Sequence, residues 1–229
     1  MTGSTLTHEG KGTMGELIDL AQRREAVQRR SRGREPLRAQ LFFDLSCPFT
    51  YLATERVERA FAHVTWTAAS AETLQRRCLA DDTETVDRMR GAAEARATEL
   101  RLPLVWPEGF PKQVPAAMRA ASFAAEQRRG GAFVLAAGRL AFCGGFDLDD
   151  PEILAEAAAA AGIRLDECLH AAGDARRDGA MEAAGRRLLA AGADRLPVLR
   201  IGRSLLWGEQ RVGAAAAAVR QASPAFARG

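Results

Sequence analysis

Several features that would narrow the function at once are scarce or absent in this sequence. Its 229 residues include only four cysteines, at positions 47, 78, 143 and 168. None of them forms a CxxC pair or stands at metal-ligand spacing from a histidine. This wide spacing argues against a disulfide framework and against a zinc site. We therefore expect reduced thiols and no bound metal.

Targeting and membrane-spanning segments are missing as well. The N-terminal stretch lacks a basic start followed by an apolar run, and no apolar run elsewhere is long enough to cross a bilayer. The formal charge is only +3, because 32 basic residues are nearly balanced by 29 acidic ones. Such a balance argues against a dedicated binder of polyanions. We expect a cytoplasmic protein with neither a nucleic-acid nor a membrane partner.

The hydrophobic content, at 47%, is high enough for a chain of this length to bury a full core. Periodicity then predicts the elements in turn: a strand at 38–43, a helix to about residue 62, a strand at 63–70, helices through 174, a helix at 175–191, a hairpin and a last helix at 209–221. The hairpin strands, 198–201 and 204–207, flank Gly202-Arg203, which suits a type II′ turn. The predicted order is β-α-β, a helical insertion, then α-β-β-α.

This order predicts three segments. Residues 1–36 form a polar, partly helical N-terminal extension, residues 70–174 form an inserted helical subdomain, and residues 37–69 together with 175–223 form the α/β domain into which it is inserted.

The stretch FFDLSCPFTYLA, residues 42–53, carries the clearest chemical signal. A strand ends at Asp44, and Cys47-Pro48 then opens a helix. A thiol at a helix N-terminus lies near unpaired N–H groups and the positive end of the helix dipole, so we expect Cys47 to have a lowered pKa and a reactive thiolate. The alternative interpretation of Cys47 is a buried structural thiol.

This stretch resembles the active-site opening of the DsbA-like superfamily, in which a Cys-Pro or Ser-Pro pair follows a strand ending in Asp. LPVLRIGRSLLWGEQRV, residues 196–212, resembles the closing segment of its branch of 2-hydroxychromene-2-carboxylate isomerases and kappa-class glutathione transferases. The resemblance implies a thioredoxin-like α/β fold with an all-helical insertion. It also implies that Cys47 and Pro48 open the active site, that Leu196-Pro197 is the cis-proline pair, and that the backbone of Leu196 docks a thiol substrate.

Departures from the family pattern leave the chemistry open. Thr50 stands where the disulfide oxidoreductases have their second cysteine, so Cys47 has no adjacent partner for an internal disulfide. In the isomerase and kappa branch a serine usually takes the place of Cys47, and Thr50 matches that branch. The closing W-G-x-D-R motif appears here with Trp207 and Arg211 kept, but with Gln210 in the place of Asp.

Three hypotheses therefore follow. The first is a thiol oxidoreductase of the DsbA family, in which Cys47 alone forms mixed disulfides and Thr50 is its hydrogen-bond neighbour, unless another cysteine folds back to resolve them. The second is an isomerase or transferase that depends on glutathione or an equivalent small thiol and acts on a hydrophobic compound. The third is a non-catalytic binding protein on the same fold. The resemblance also implies a homodimer, since relatives often pair.

Overall fold

The computed structural model describes residues 38–75 and 83–222 of the chain. The predicted N-terminal extension and Cys78 lie outside the described residues. The α-helices are α1 (Pro48–Ala60), α2 (Ala71–Gln75), α3 (Thr83–Leu100), α4 (Pro115–Glu126), α5 (Gly130–Phe142), α6 (Pro151–Ala161), α7 (Leu165–Gly173), α8 (Asp178–Ala190) and α9 (Glu209–Ala222). The strands are β1 (Ala39–Phe43), β2 (Val64–Ala68), β3 (Val198–Ile201) and β4 (Ser204–Trp207).

The four strands form one mixed sheet in the order β2-β1-β3-β4. β1 pairs with β2 in parallel and with β3 in antiparallel fashion, and β3 pairs with β4 in antiparallel fashion. Gly202 has a positive φ of 58°, whereas Arg203 does not, which fits the predicted type II′ turn and not a type I′ turn. The predicted α/β fold and its order of elements are confirmed.

Side chains of β1 alternate between two apolar cores, one on each face of the sheet. Leu41 and Phe43 pack into the larger core, which also contains residues of α1, α9 and the inserted helices. Phe42 points to the opposite face and packs with Val198 and with residues of α2 and α8. This alternation follows from the two-residue period of a strand, and it explains why Phe42 and Phe43 can both be apolar at the end of β1.

The last part of the insertion contains one capped helix start and one correction to the sequence prediction. Asp150 caps α6, because its side chain accepts a hydrogen bond from the Glu152 N–H and proline occupies the first turn. The helix predicted at 175–191, by contrast, is broken. A 3₁₀ turn (Ala175–Arg177) comes first, where the Asp174 side chain accepts the Arg176 N–H, and α8 begins only at Asp178.

A buried ion cluster joins three helices that are distant in the sequence. Glu209, at the start of α9, is only 4% exposed. Its carboxylate pairs with Arg56 of α1 and with Arg96 of α3, whose Nε lies 2.5 Å from Glu209 Oε2. The cluster therefore ties the inserted helix α3 to both helices on one face of the sheet. No helix in the described ranges is long and apolar enough to cross a membrane.

Candidate active site

Cys47 lies at the N-terminus of α1, as the sequence predicts. Its backbone is extended (φ −93°, ψ 115°), Pro48 follows in the first turn, and the Cys47 carbonyl accepts the Thr50 N–H at 3.0 Å. The Cys47 side chain forms no cap hydrogen bond with the helix. Instead, its Sγ lies 3.8 Å from the carbonyl oxygen of Leu196, to which the thiol donates. The half-buried thiol is thus placed between a helix start and a second backbone segment.

The prediction of a lowered Cys47 pKa is wrong. Burial raises the pKa of the Cys47 thiol to about 11, and the nearby carboxylate of Asp44 acts in the same direction. The backbone N–H groups of Thr50 and Phe49 and the Thr50 hydroxyl favour the thiolate, but they do not offset the loss of hydration. At neutral pH the free protein therefore holds Cys47 as a neutral thiol, which donates a hydrogen bond and is a poor nucleophile.

Asp44 is a buried acid beneath the active turn, and the sequence analysis did not assign it a role. It is 2% exposed, and its carboxylate accepts hydrogen bonds from Ser46 N (2.9 Å), Ser46 Oγ (2.7 Å) and Ala71 N (2.8 Å). Burial raises the pKa of Asp44, although these hydrogen bonds oppose the shift. Asp44 thus links the end of β1 to the start of α2 and fixes the turn that presents Cys47.

Thr50 and the Leu196-Pro197 pair complete the immediate surroundings of the thiol. Thr50 is 2% exposed, and its hydroxyl accepts the Asp44 N–H at 3.4 Å. The peptide bond between Leu196 and Pro197 is cis, and both residues are buried. The Pro197 carbonyl accepts the Gly208 N–H at 2.9 Å, which holds the end of β4 against the start of β3. Five predicted site residues therefore meet here: Cys47, Pro48, Thr50, Leu196 and Pro197.

The remaining predicted site residues lie where β4 ends and α9 begins. Trp207 pairs with Val198 across the sheet and packs, half-buried, against the same apolar cluster as Cys47. The Arg211 guanidinium lies 5.3 Å from the centre of the Trp207 ring. Gln210 and Arg211 are exposed, and neither hydrogen-bonds to another described residue. Their side chains are therefore available to a ligand that extends from Cys47 along the hairpin.

The other described cysteines are not partners of Cys47. Cys47, Cys143 and Cys168 are free thiols, and Cys168 is fully buried, which raises its pKa. Cys143 Sγ lies 3.0 Å from the hydroxyl oxygen of Tyr51, which also donates to the Pro103 carbonyl at 2.7 Å. Among the described residues, no group of three His, Cys, Asp or Glu side chains could hold a metal ion.

A small apolar pocket adjoins the active turn on the side of the insertion. Its cavity volume is about 20 Å³. The larger figure of about 310 Å³ also counts the open, solvent-filled space at its mouth. Leu45 and Ser46 form one wall, and Phe110 and Phe142 lie opposite. Phe110 belongs to the proline-rich segment between α3 and α4, whose sequence is compatible with a lid over a pocket and with a rigid connection between two helices. Its carbonyl accepts a hydrogen bond of 2.7 Å from Arg90 of α3, which fixes this wall.

Long-range pairing explains why sequence reasoning missed parts of this region. The Phe110-Pro111 bond is also cis, although nothing local distinguishes it from the other prolines of the segment. Arg119 of α4 forms a bidentate ion pair with Asp178, at 2.7 and 2.6 Å, which joins two segments that are 59 residues apart. Asp44 carried a detectable signal, since an acid directly after a buried strand is unusual.

Comparisons with known proteins agree with this geometry. Residues 39–220 match the DSBA-like thioredoxin domain. A 2-hydroxychromene-2-carboxylate isomerase structure has a TM-score of 0.66 and 17% identity, and the match covers 82% of this chain and 99% of that one. A probable DsbA oxidoreductase from Streptomyces coelicolor has a TM-score of 0.58 and 22% identity, and the match covers 82% and 90% of the two chains. No curated protein matches the sequence. The chain belongs to the DsbA-like thioredoxin domain family.

Proposed function

We propose that this protein is a thiol-dependent enzyme of the isomerase or transferase type, in which Cys47 binds the sulfur of a small thiol cofactor. The observation that carries the proposal is the position of the Cys47 thiol, 3.8 Å from the Leu196 carbonyl oxygen, in surroundings whose burial raises the Cys47 pKa to about 11. A neutral thiol with Thr50 three residues later can donate a hydrogen bond to a cofactor thiolate, as a serine would. The solved 2-hydroxychromene-2-carboxylate isomerase has the same fold.

The surroundings of Cys47 provide both halves of such a site. The backbone of Leu196, 3.8 Å from the thiol, offers strand-type pairing to a peptide-like cofactor such as glutathione, and Gln210 and Arg211 would contact its charged end. The apolar pocket beside Leu45 and Ser46, with a cavity volume of about 20 Å³, would contact only one apolar edge of a hydrophobic substrate that lies over its open mouth.

The proposed reaction needs no second cysteine. The cofactor thiol gives its proton to solvent, and its thiolate adds to an electron-poor carbon of the substrate. In an isomerisation the carbon–sulfur bond breaks again after the substrate has rearranged, and the thiol recovers its proton. In a transferase reaction the carbon–sulfur bond stays, the substrate carbanion formed by the addition takes a proton from solvent, and the neutral conjugate leaves. Neither route changes the oxidation state of Cys47, so Thr50 in the usual place of a second cysteine is no obstacle.

The test compares Cys47→Ser with Cys47→Ala, with Cys143→Ser as the control that removes another half-buried thiol. Glutathione, cysteine and coenzyme A are titrated into each variant, and thiolate absorbance near 240 nm reports ionisation of the bound thiol. We expect Cys47→Ser to retain binding and to keep the bound thiol pKa below the free value of about 8.5. Cys47→Ala should lose about tenfold in affinity, because one charge-assisted hydrogen bond is gone.

A second candidate is the single-cysteine thiol oxidoreductase, favoured by the position of the Cys47 Sγ beside the Leu196 backbone, at a residue that is not fully buried. Here the Cys47 thiolate attacks a disulfide RSSR, a Cys47–S–S–R bond forms and RS⁻ leaves. The thiolate of a different thiol, R′S⁻, then attacks the mixed disulfide, which releases RSSR′ and restores Cys47. Intact-mass detection of a Cys47 adduct with oxidised glutathione, lost in Cys47→Ser, would favour this candidate. If no thiol binds and no adduct forms, the non-catalytic binding protein becomes the better interpretation.

A further inference from the structure

A second cavity, separate from the one beside the active turn, lies at the free edge of the sheet. Its volume is about 290 Å³, and it is bounded by β2, by α4 and by α8. Its floor is apolar and includes Trp66, Ala125 and Met181. Four polar or charged residues also line it: Thr67, Ser122, Glu126 and Arg187. This volume is close to the lower end of ordinary ligand pockets, about 300 Å³.

Two of the donors that line this edge cavity have no protein partner among the described residues. The Ser122 hydroxyl makes no hydrogen bond, and the exposed Arg187 makes no ion pair, with a described residue. The neighbouring Arg186, by contrast, is paired with Glu182 at 3.3 Å. An arginine left unpaired on the wall of a concave site is a ready partner for a carboxylate.

The backbone of β2 adds further donors. β2 is an edge strand, and the Ala69 N–H bonds to the Phe43 carbonyl of β1 at 2.9 Å. Backbone groups alternate in direction along a parallel strand, so the N–H groups of Trp66 and Ala68 point away from β1. Both residues line the edge cavity. An edge strand normally leaves such groups to solvent or to an added partner.

Charges around the edge cavity favour an anion. Of the described residues that line it, Glu126 alone is acidic, and its carboxylate is already paired with Arg177 at 2.8 Å. Arg187 therefore leaves one positive charge uncompensated at the cavity wall. A ligand that fits this cavity would carry one anionic group to pair with Arg187. It would also need oxygen acceptors for the Ser122 hydroxyl and for the N–H groups of β2, and an apolar body to pack on Trp66, Ala125 and Met181.

We propose that the edge cavity binds a small carboxylate with an apolar body, through Arg187 and Ser122. The site is independent of Cys47, because its lining residues come from β2, α4 and α8 only. It does connect to the active turn through the chain: the Ser70 N–H bonds to the Met181 carbonyl at 3.2 Å, and the Ala71 N–H bonds to Asp44.

The experiment uses the full chain and three matched single-ring probes: benzoate, benzyl alcohol and benzylammonium. Binding is measured by calorimetry and by the shift of the Trp66 indole N–H signal in NMR spectra, assigned with Trp106→Phe and Trp207→Phe. We expect benzoate to bind at least tenfold more tightly than benzyl alcohol, and benzylammonium not to bind. Benzoate should shift the Trp66 signal and leave the signals of the other two tryptophans in place.

Substitutions then test whether benzoate binds in the edge cavity or is attracted only by the positive charge of the surrounding surface. Arg187→Gln should weaken benzoate binding by about tenfold or more, and Ser122→Ala by a smaller factor of roughly three to ten. Arg186→Gln is the matched control on the next residue of α8 and should leave binding unchanged. Cys47→Ser should also leave it unchanged, so this result does not depend on the proposed function.

Three results would overturn the inference. They are the absence of benzoate binding up to millimolar concentration, an equal loss of affinity in Arg186→Gln, and binding that does not move the Trp66 signal.

Discussion

The alkylation rate of Cys47 against pH tests the electrostatics of the active turn most directly. Burial raises the pKa of Cys47 to about 11, so the thiolate fraction at pH 7 is about 300-fold below that of an ordinary cysteine with pKa about 8.5. A more basic thiolate is also more nucleophilic, and a Brønsted slope of about 0.4–0.5 increases the rate constant of the thiolate by roughly 10- to 18-fold. We therefore expect Cys47 to react about 20- to 30-fold more slowly at pH 7 than a free thiol.

The pH profile discriminates better than the rate at one pH. Because the pKa is raised, the thiolate forms only as the pH rises toward 11, and the alkylation rate should still be increasing at pH 10. The assay is iodoacetamide labelling followed by peptide mapping, which separates Cys47 from Cys143 and Cys168, with glutathione as the free-thiol reference. A plateau reached below pH 8 would refute the reasoning, because it would show a stabilised thiolate and restore the oxidoreductase as the first candidate.

One substitution isolates the charge contribution within the same assay. Asp44 raises the Cys47 pKa through its charge, so Asp44→Asn should move the alkylation profile toward lower pH. Asp87→Asn, at an exposed position of α3, is the matched control and should leave the profile in place. Circular dichroism must first show that Asp44→Asn is folded, since one of the carboxylate hydrogen bonds to Ser46 or Ala71 is lost.

The other predictions concern stability and are measured by urea unfolding. Glu209→Gln should cost about 3 kcal/mol, because two arginines lose their buried partner; Glu99→Gln, whose side chain is 62% exposed beside the same Arg96, should cost under about 1 kcal/mol. Equal losses in both variants would contradict the role of burial. Gly185→Ala should cost about 1–3 kcal/mol, since a Cβ there would lie 2.9 Å from the Ser70 carbonyl oxygen. Gly179→Ala, with no atom within 4 Å of the added Cβ, should be neutral or stabilising by up to about 1 kcal/mol, because alanine is the better helix former; a loss there comparable to that of Gly185→Ala would contradict the role of the close contact.

Local patterns were sufficient to predict most of the fold. The strand before Cys47 and the hairpin around Gly202 are apolar runs bounded by turn residues, and the Asp150-Pro151 helix start depends on neighbouring residues alone. The break between Ala175 and Asp178 was missed because an alanine-rich run favours helix at every position, whereas the competing Asp174 hydrogen bond is a single interaction.

The sequence predicted which residues form the candidate active site, but it did not predict the direction of the Cys47 pKa shift. Cys47 and the Leu196-Pro197 pair could be located from their motifs. The direction of the Cys47 pKa shift could not, because burial around the thiol depends on segments more than a hundred residues away, such as Leu196. The Glu209 cluster was missed for the same reason, since its arginines lie at positions 56 and 96. The edge cavity likewise needs three separate segments. The homodimer, the small thiol and the cytoplasmic location stay predictions.

The pairing of β1 with β3 also has a consequence for synthesis on the ribosome. Ala39 pairs with Ile201, and Cys47 meets Leu196, a separation of 149 residues. At about 5–20 residues per second, the nascent chain would carry β1 and the active turn for roughly 7 to 30 seconds before β3 is made. During that interval nothing from Leu196 covers the thiol. Cys47 is therefore more open to oxidants in the growing chain than in the finished protein.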